Sequence, residues 1–289
     1  MNDLDALQPP LTALDTYAVI GHPVRHSRSP FIHERFARQC EQTLRYIRID
    51  ATPEAFEGVV GRFFAQGGKG LNVTLPHKQA AAALAASLSS RAARAGAVNT
   101  LLLREDGLLH GDNTDGVGLV RDLTGSFGVT VGSRRVLLLG AGGAARGVLD
   151  PLLALQPVEL VIANRTAARA LELADSFADM GAVRGCGLDE LQGAPFDIVI
   201  NATASSIGGE TLPLPPGCVQ AHSFCYDMGY APEDTPFVRW AMERGVTRAV
   251  MGLGMLVEQA AEAFYLWRGQ RPDTAPVLAA LKVEHSPLS

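Results

Sequence analysis

The segment Arg135–Gly147 reads RVLLLGAGGAARG and constrains the fold more than any other stretch of the chain. A branched and leucine-rich run ends in Gly140-Ala141-Gly142-Gly143-Ala144-Ala145, the GxGxxA spacing of a dinucleotide-binding turn. Gly140 permits the tight turn, Gly142 lets backbone approach a pyrophosphate, and Ala145 is small enough for a helix to close onto the strand. The helix that follows offers free N–H groups and a partial positive charge to phosphates. A plain glycine-rich turn would explain the glycines, but not a strand before them and a helix after them.

The next expected strand, Glu159–Ala163, runs into Asn164-Arg165-Thr166. NAD sites place an Asp or Glu near this point to bond the ribose 2′-hydroxyl. This chain has Arg165 there, with Arg169 one helical turn on, a pair suited to a 2′-phosphate. The expected cofactor is therefore NADP. Asn164 or Thr166 also suits the cap of the next helix, a role that does not compete with phosphate binding.

Apolar runs alternate with helical patterns along most of the chain. Strands are expected over 17–20, 44–49, 70–74, 100–103, 135–139, 159–163, 197–201, 223–227 and 248–251. Helices are expected over 30–39, 54–65, 79–87, 144–153, 167–177 and 255–268. This alternation predicts an α/β fold with a mostly parallel sheet. A length of 289 residues suggests about two domains. The 25 Lys and Arg against 30 Asp and Glu leave a net charge of −5, which argues against nucleic acid and against a polybasic membrane anchor. No segment approaches the ~18 apolar residues of a membrane span. The acidic start Met1-Asn2-Asp3-Leu4-Asp5 is unlike a signal peptide. Cys40, Cys186, Cys218 and Cys225 lack CxxC spacing, as expected of reduced cytoplasmic thiols.

Three polar segments exceed what a fold alone requires. In Ser27-Arg28-Ser29-Pro30, Ser29 and Pro30 suit an N-cap and first helical residue. Ser27 is left over, and two hydroxyls at a helix start could hold a small carboxylate. In Gly70–Lys78, a strand ends, Pro76 opens a helix and Lys78 sits in its first turn, where a cation is disfavoured. That placement suggests a catalytic amine. Gly111-Asp112-Asn113-Thr114-Asp115-Gly116 reads on spacing as a turn, with Asp115 capping the next helix. His22, His26 and His33 are rejected as a metal site, because Pro23 breaks any helix that would align them. Gln259 lies beside the apolar stripe of the C-terminal helix, and periodicity alone leaves it on the surface.

Taken together, the segments HSRSP, NVTLPHK, GAVNT, GDNTDG, GAGGAARG, NRTAARA, NAT, YDMGYAPEDTPF and GLGMLVEQAA, in order from His26 to Ala261, resemble the shikimate dehydrogenase family. These are NADP-dependent enzymes of aromatic amino-acid (chorismate) biosynthesis. The resemblance implies reversible reduction of 3-dehydroshikimate to shikimate. It implies a catalytic pair, Lys78 and Asp115. Ser27 and Ser29, with Tyr230, would hold the substrate carboxylate, and Thr74, Asn99 and Gln259 the ring hydroxyls. Gly140, Gly142, Gly143 and Ala144 would face the pyrophosphate, and Asn164, Arg165, Thr166 and Arg169 the adenosine 2′-phosphate. Asn201 and Thr203 would line the cofactor groove, and Met251 and Gly252 its nicotinamide end.

The resemblance further implies two domains separated by a cleft. A substrate-binding α/β domain would span 1–114 plus 252–289, and a Rossmann-like NADP domain 115–251. The expected partner is a small-molecule substrate, with the chain a monomer or homodimer. The family commonly has asparagine where His22 and Glu34 stand, aspartate where Met251 stands and serine where Ala204 stands. None of these touches the expected Lys–Asp pair. Two rival readings are a broader quinate/shikimate dehydrogenase and a non-catalytic ligand sensor of the same fold. The arginines at 165 and 169 disfavour NAD use, and the presence of both Lys78 and Asp115 disfavours a sensor.

Overall fold

The computed structural model describes residues 14–191, 195–203 and 212–285. Met1–Asp5 and Ala204 lie outside them. Two six-stranded sheets organise the chain, and the described residues divide into two compact units. One holds the chain up to Asp115 together with Val257–Ala279, and the other holds Gly116–Leu256 together with the residues after Ala279.

The first unit contains β1 (Thr16–Gly21), β2 (Arg45–Asp50), β3 (Gly70–Val73), β4 (Ser87–Leu88), β5 (Thr100–Leu103) and β6 (Leu109–Asp112). Their order is β2-β1-β3-β5-β6-β4. β1 pairs in parallel with β2 and β3, whereas β5 runs antiparallel to β3 and β6. The helices are α1 (Ser29–Gln39), α2 (Phe56–Ala65), α3 (Lys78–Leu84) and α4 (Ser90–Ala95). The core gathers Ile20, Ile49, Leu71 and Leu101 from the sheet with Phe56, Val60 and Phe63 from α2. Apolar residues of α2 recur at three- and four-residue spacing, so one stripe of the helix covers the sheet.

The second unit begins at α5 (Asp115–Arg121), whose first residue still belongs to the first unit. Its sheet is wholly parallel: β7 (Arg135–Leu139), β8 (Glu159–Asn164), β9 (Val183–Gly187), β10 (Ile198–Asn201), β11 (Phe224–Asp227) and β12 (Arg248–Met251). The order β12-β11-β10-β7-β8-β9 reverses direction at β7, where the glycine-rich turn sits. Val136 and Leu138 face a core shared with α6 (Gly143–Ala154) and α7 (Ala167–Asp175). Leu137 and Leu139 face the opposite core, shared with α8 (Pro236–Glu243). Burial on both faces explains why β7 reads as an unbroken apolar run. The chain re-enters the first unit at Val257 within α9 (Leu253–Arg268), and α10 (Ala275–His285) leaves it again after Ala279. Among the described residues no helix is long and apolar enough to cross a membrane.

Candidate active site

In the first unit, a buried polar cluster forms from the start of α3, the residues leading into β5, the segment after β6 and α9. The side chain of Lys78, first residue of α3, donates to Asp115 Oδ2. Both side chains are nearly excluded from water, at 11% and 7% exposure. The other oxygen of Asp115 accepts from Asn99 Nδ2 at 2.8 Å. Asn99 Nδ2 also reaches Thr114 Oγ1 at 2.9 Å and Gln259 Oε1 at 3.3 Å. Its Oδ1 accepts the Thr114 N–H at 2.8 Å and the Thr100 hydroxyl at 2.9 Å. Lys78, Asn99, Asp115 and Gln259, which are far apart in sequence, thus form one hydrogen-bonded group.

Three expectations drawn from spacing alone change. Asp115 is not the cap of α5: Asn113 Oδ1 accepts the Asp115 N–H at 3.1 Å, which leaves the Asp115 carboxylate to Lys78 and Asn99. Ser29 is not a cap either, because it is already the first residue of α1. The cap position is Arg28, and Ser27 Oγ accepts the Ser29 N–H at 3.3 Å and donates to Ser29 Oγ at 3.2 Å. The two hydroxyls therefore stand side by side at the helix start. Gln259 is buried rather than on the surface, at 9% exposure. Thr74 follows β3, partly exposed, with its N–H donated to Ile20 O at 2.9 Å. Of the histidines, His22 Nδ1 meets Asp50 Oδ1 at 2.6 Å, while His33 stacks on Tyr46 with centroids 4.3 Å apart. Burial lowers the His33 imidazole to about 3, so it stays neutral.

In the second unit, Gly140 adopts φ +107°, a conformation side chains resist, and its N–H donates to Ala163 O at 2.8 Å. Gly142 caps α6, and Gly143 and Ala144 open its first turn. A Cβ built on Gly142 would meet no protein atom within 4 Å, so open space lies before the free N–H groups of the helix. Asn164, Arg165, Thr166 and Arg169 follow at the end of β8 and the start of α7, with both arginines exposed. Asn164 Nδ2 donates to Thr166 O at 3.0 Å. No carboxylate replaces Asn164 at the strand end to repel a 2′-phosphate. This donor set, with the turn and the space before it, fits NADP. Thr203 is folded back on Asn201 by bonds of 3.1 and 2.7 Å to Asn201 Oδ1. Asn201 in turn donates to Asp227 at 3.2 Å. Gly252 follows Met251 at the end of β12, and its N–H donates to Gly229 O at 3.1 Å. Tyr230, partly exposed, follows β11 in this unit.

The sequence reading missed Arg48, Tyr46 and Asn72. Arg48 donates twice to Ser27 O, at 2.9 and 2.7 Å. Tyr46 donates to Asn72 Oδ1 at 2.7 Å, and Asn72 Nδ2 reaches Thr100 at 3.3 Å. The alternation of RYIRID, with a polar residue at every second position, is the signal that could have exposed this face of β2.

Comparison with known proteins agrees along the chain. Residues 19–101 match the shikimate dehydrogenase substrate binding domain, residues 123–207 the shikimate / quinate 5-dehydrogenase model, and residues 252–282 the shikimate 5'-dehydrogenase C-terminal domain. The shikimate dehydrogenase (NADP(+)) of Methylococcus capsulatus is 54% identical over 95% of this chain and 98% of its own length. An Ael1 enzyme from Pseudomonas putida superposes with TM-score 0.85 at 46% identity, covering 92% of this chain and 98% of that one. Shikimate 5-dehydrogenase from Thermus thermophilus, in complex with NADP(H) and shikimate, superposes with TM-score 0.82 at 34% identity, covering 93% and 99%. This chain belongs to the shikimate dehydrogenase family.

Proposed function

We propose that the chain is an NADP-dependent shikimate dehydrogenase in which the Lys78–Asp115 pair handles the proton. The observation that carries this is the buried contact of the Lys78 amine with Asp115, inside a polar cluster that also holds Asn99 and Gln259. NADPH, when bound, supplies the hydride that reduces the ketone of 3-dehydroshikimate. The alkoxide that develops there needs a proton, and the Lys78 ammonium is the donor. In the oxidative direction the Lys78 amine takes the proton from the hydroxyl. Asp115 aims the amine, and Asn99 fixes the second oxygen of Asp115 so that the carboxylate cannot rotate away. Thr74, Asn99 and Gln259 receive the ring hydroxyls, while Ser27, Ser29 and Tyr230 receive the carboxylate. The turn at Gly140, Gly142, Gly143 and Ala144 takes the pyrophosphate. Asn164, Arg165, Thr166 and Arg169 take the 2′-phosphate, with Asn201, Thr203, Met251 and Gly252 along the rest of the cofactor.

The deciding experiment is NADPH formation on adding shikimate and NADP to the purified chain. Rates with quinate and with NAD, measured alongside, test the broader specificity. Turnover of neither acid would reject the assignment.

Arg165 and Arg169 carry the cofactor choice in this scheme. Replacing both by serine is expected to raise KM for NADP by about tenfold to a hundredfold, the usual effect of losing charge-assisted bonds to phosphate. KM for NAD should stay within about twofold, because NAD has no 2′-phosphate to lose. An unchanged ratio of NADP to NAD efficiency would reject the role of these arginines.

A further inference from the structure

β2 is an edge strand with two unlike faces. Ile49 and Ile47 turn into the core of the first unit, and Tyr46, Arg48 and Asp50 alternate onto the other face. Asp50 is fully engaged: Oδ1 meets His22 Nδ1 at 2.6 Å and Oδ2 accepts the Val24 N–H at 3.2 Å. Arg48 is half-buried, and its fork closes on the carbonyl of Ser27. It forms no ion pair among the described residues.

The groups assigned above to the substrate carboxylate, Ser27, Ser29 and Tyr230, are all neutral. Hydroxyls replace the hydrogen bonds that water gives a carboxylate, but they bring no opposing charge. The other half-buried cations of the unit are engaged: Lys78 with Asp115, Arg91 with Asp112, Arg268 with Asp15, and Arg35 over the ring of Phe31. Arg25 lies on the same loop but is exposed, where salt screens it, and Arg28 has partners of its own.

We propose that Arg48 is a positioning residue that makes the Ser27–Ser29 site selective for an anion. Its two bonds hold the Ser27 backbone in place, and its uncompensated charge lies behind the hydroxyls that meet the carboxylate. The inference rests on the assignment of Ser27 and Ser29 made above. It adds a cation on a different strand and a preference for acid over neutral analogue.

The test compares shikimate as substrate with its neutral methyl ester as competitive inhibitor, in the full-length enzyme. Arg48→Gln is expected to raise KM for shikimate by about tenfold, from loss of a charge acting across a short, poorly solvated distance. kcat should change by less than about threefold and the ester's inhibition constant by less than about twofold, since neither senses the carboxylate charge. Arg48→Lys keeps the charge without the fork and should restore KM to within about threefold of wild type. Equal weakening of acid and ester would make Arg48 a loop support only and overturn the proposal, as would no change in either. If Arg48→Gln fails to fold, the acid-over-ester preference of Arg48→Lys decides: retained, it supports the proposal, and lost, it overturns it. Ser27→Ala separates the two levels of the argument. An unchanged KM there rejects the carboxylate site itself, whereas a raised KM beside a silent Arg48→Gln rejects only the role of Arg48.

Discussion

Lys78→Ala is expected to lower kcat by about 10²–10⁴-fold, the usual contribution of a positioned general acid. KM for shikimate and the affinity for NADP should move far less, because the lysine acts on the proton in flight rather than on the bound ground state. Asp115→Asn should also lower kcat, since the amide holds the Lys78 amine less firmly than a carboxylate does. The two act as one unit through their direct contact. The double variant is therefore expected to be little worse than Lys78→Ala alone. Steady-state kinetics on all three, with unfolding curves to show that each is folded, makes the check. Turnover of Lys78→Ala within a few-fold of wild type would remove Lys78 from the mechanism. Fully additive losses would show that Asp115 acts by a route other than the amine.

Much of this site could be read in the sequence where its physics is local. The turn at Gly140–Ala145 declares itself because strand, turn and helix start are contiguous, and each glycine serves a backbone requirement within a few residues. Lys78 stood out for a local reason too, a cation at the wrong end of a helix. Asp115 did not, because its partner lies 37 positions away and GDNTDG is equally good turn sequence. Periodicity alone leaves Gln259 on the surface for the same reason, because its hydrogen-bond partner is 160 positions away, and only the family resemblance places it at the site.

The strands that escaped were β4, β6 and β9. β6 reads Leu-His-Gly-Asp, poor strand formers, and exists because it pairs along β5 from Leu103↔Leu109 to Thr100↔Asp112. In β9, Gly185 weakens the pattern for a packing reason, since a Cβ there would lie 2.3 Å from the backbone of Ala170 in α7. α3 ends at Leu84 rather than at Ser87 because Ser87 and Leu88 pair with His110 and Gly111 as β4.

The ionic network behind the Asp115 loop yields the largest stability effect expected of a single substitution. Asp112, two residues before Thr114, accepts from Ser89 Oγ at 2.5 Å, from Arg91 Nε and Nη2 at 2.7 and 2.8 Å, and from the Asn113 N–H at 2.7 Å. Arg91 also reaches Glu262 Oε1 at 3.4 Å, three residues beyond Gln259 on α9, and Glu262 pairs in turn with Arg271. One guanidinium thus ties the loop carrying Asp115 to the helix carrying Gln259. Burial pushes the Asp112 carboxyl up, but the bonds from Arg91 and Ser89 outweigh it and hold the group below its ordinary value.

Arg91→Met removes the fork and leaves a carboxylate of 6% exposure without its counter-charge. Breaking a buried pair from one side costs about 3–5 kcal/mol, so a loss of that order is expected at neutral pH. The pH dependence carries the sharper signature. With its folded pKa depressed, Asp112 stabilises the wild type above its unfolded value near ~3.9, and this is lost as pH falls through the folded value. In Arg91→Met burial still pushes the carboxyl up while only Ser89 Oγ and the Asn113 N–H are left to hold it down, so its folded pKa lies above that of the wild type. The deficit of the variant should therefore shrink as pH is lowered from 7 toward 4, while the wild type itself loses stability. Denaturant unfolding of both proteins across that range reads the effect directly. A deficit that stays constant with pH would mean that Arg91 contributes packing rather than charge. One that grows on acidification would reverse the assigned direction of the Asp112 shift.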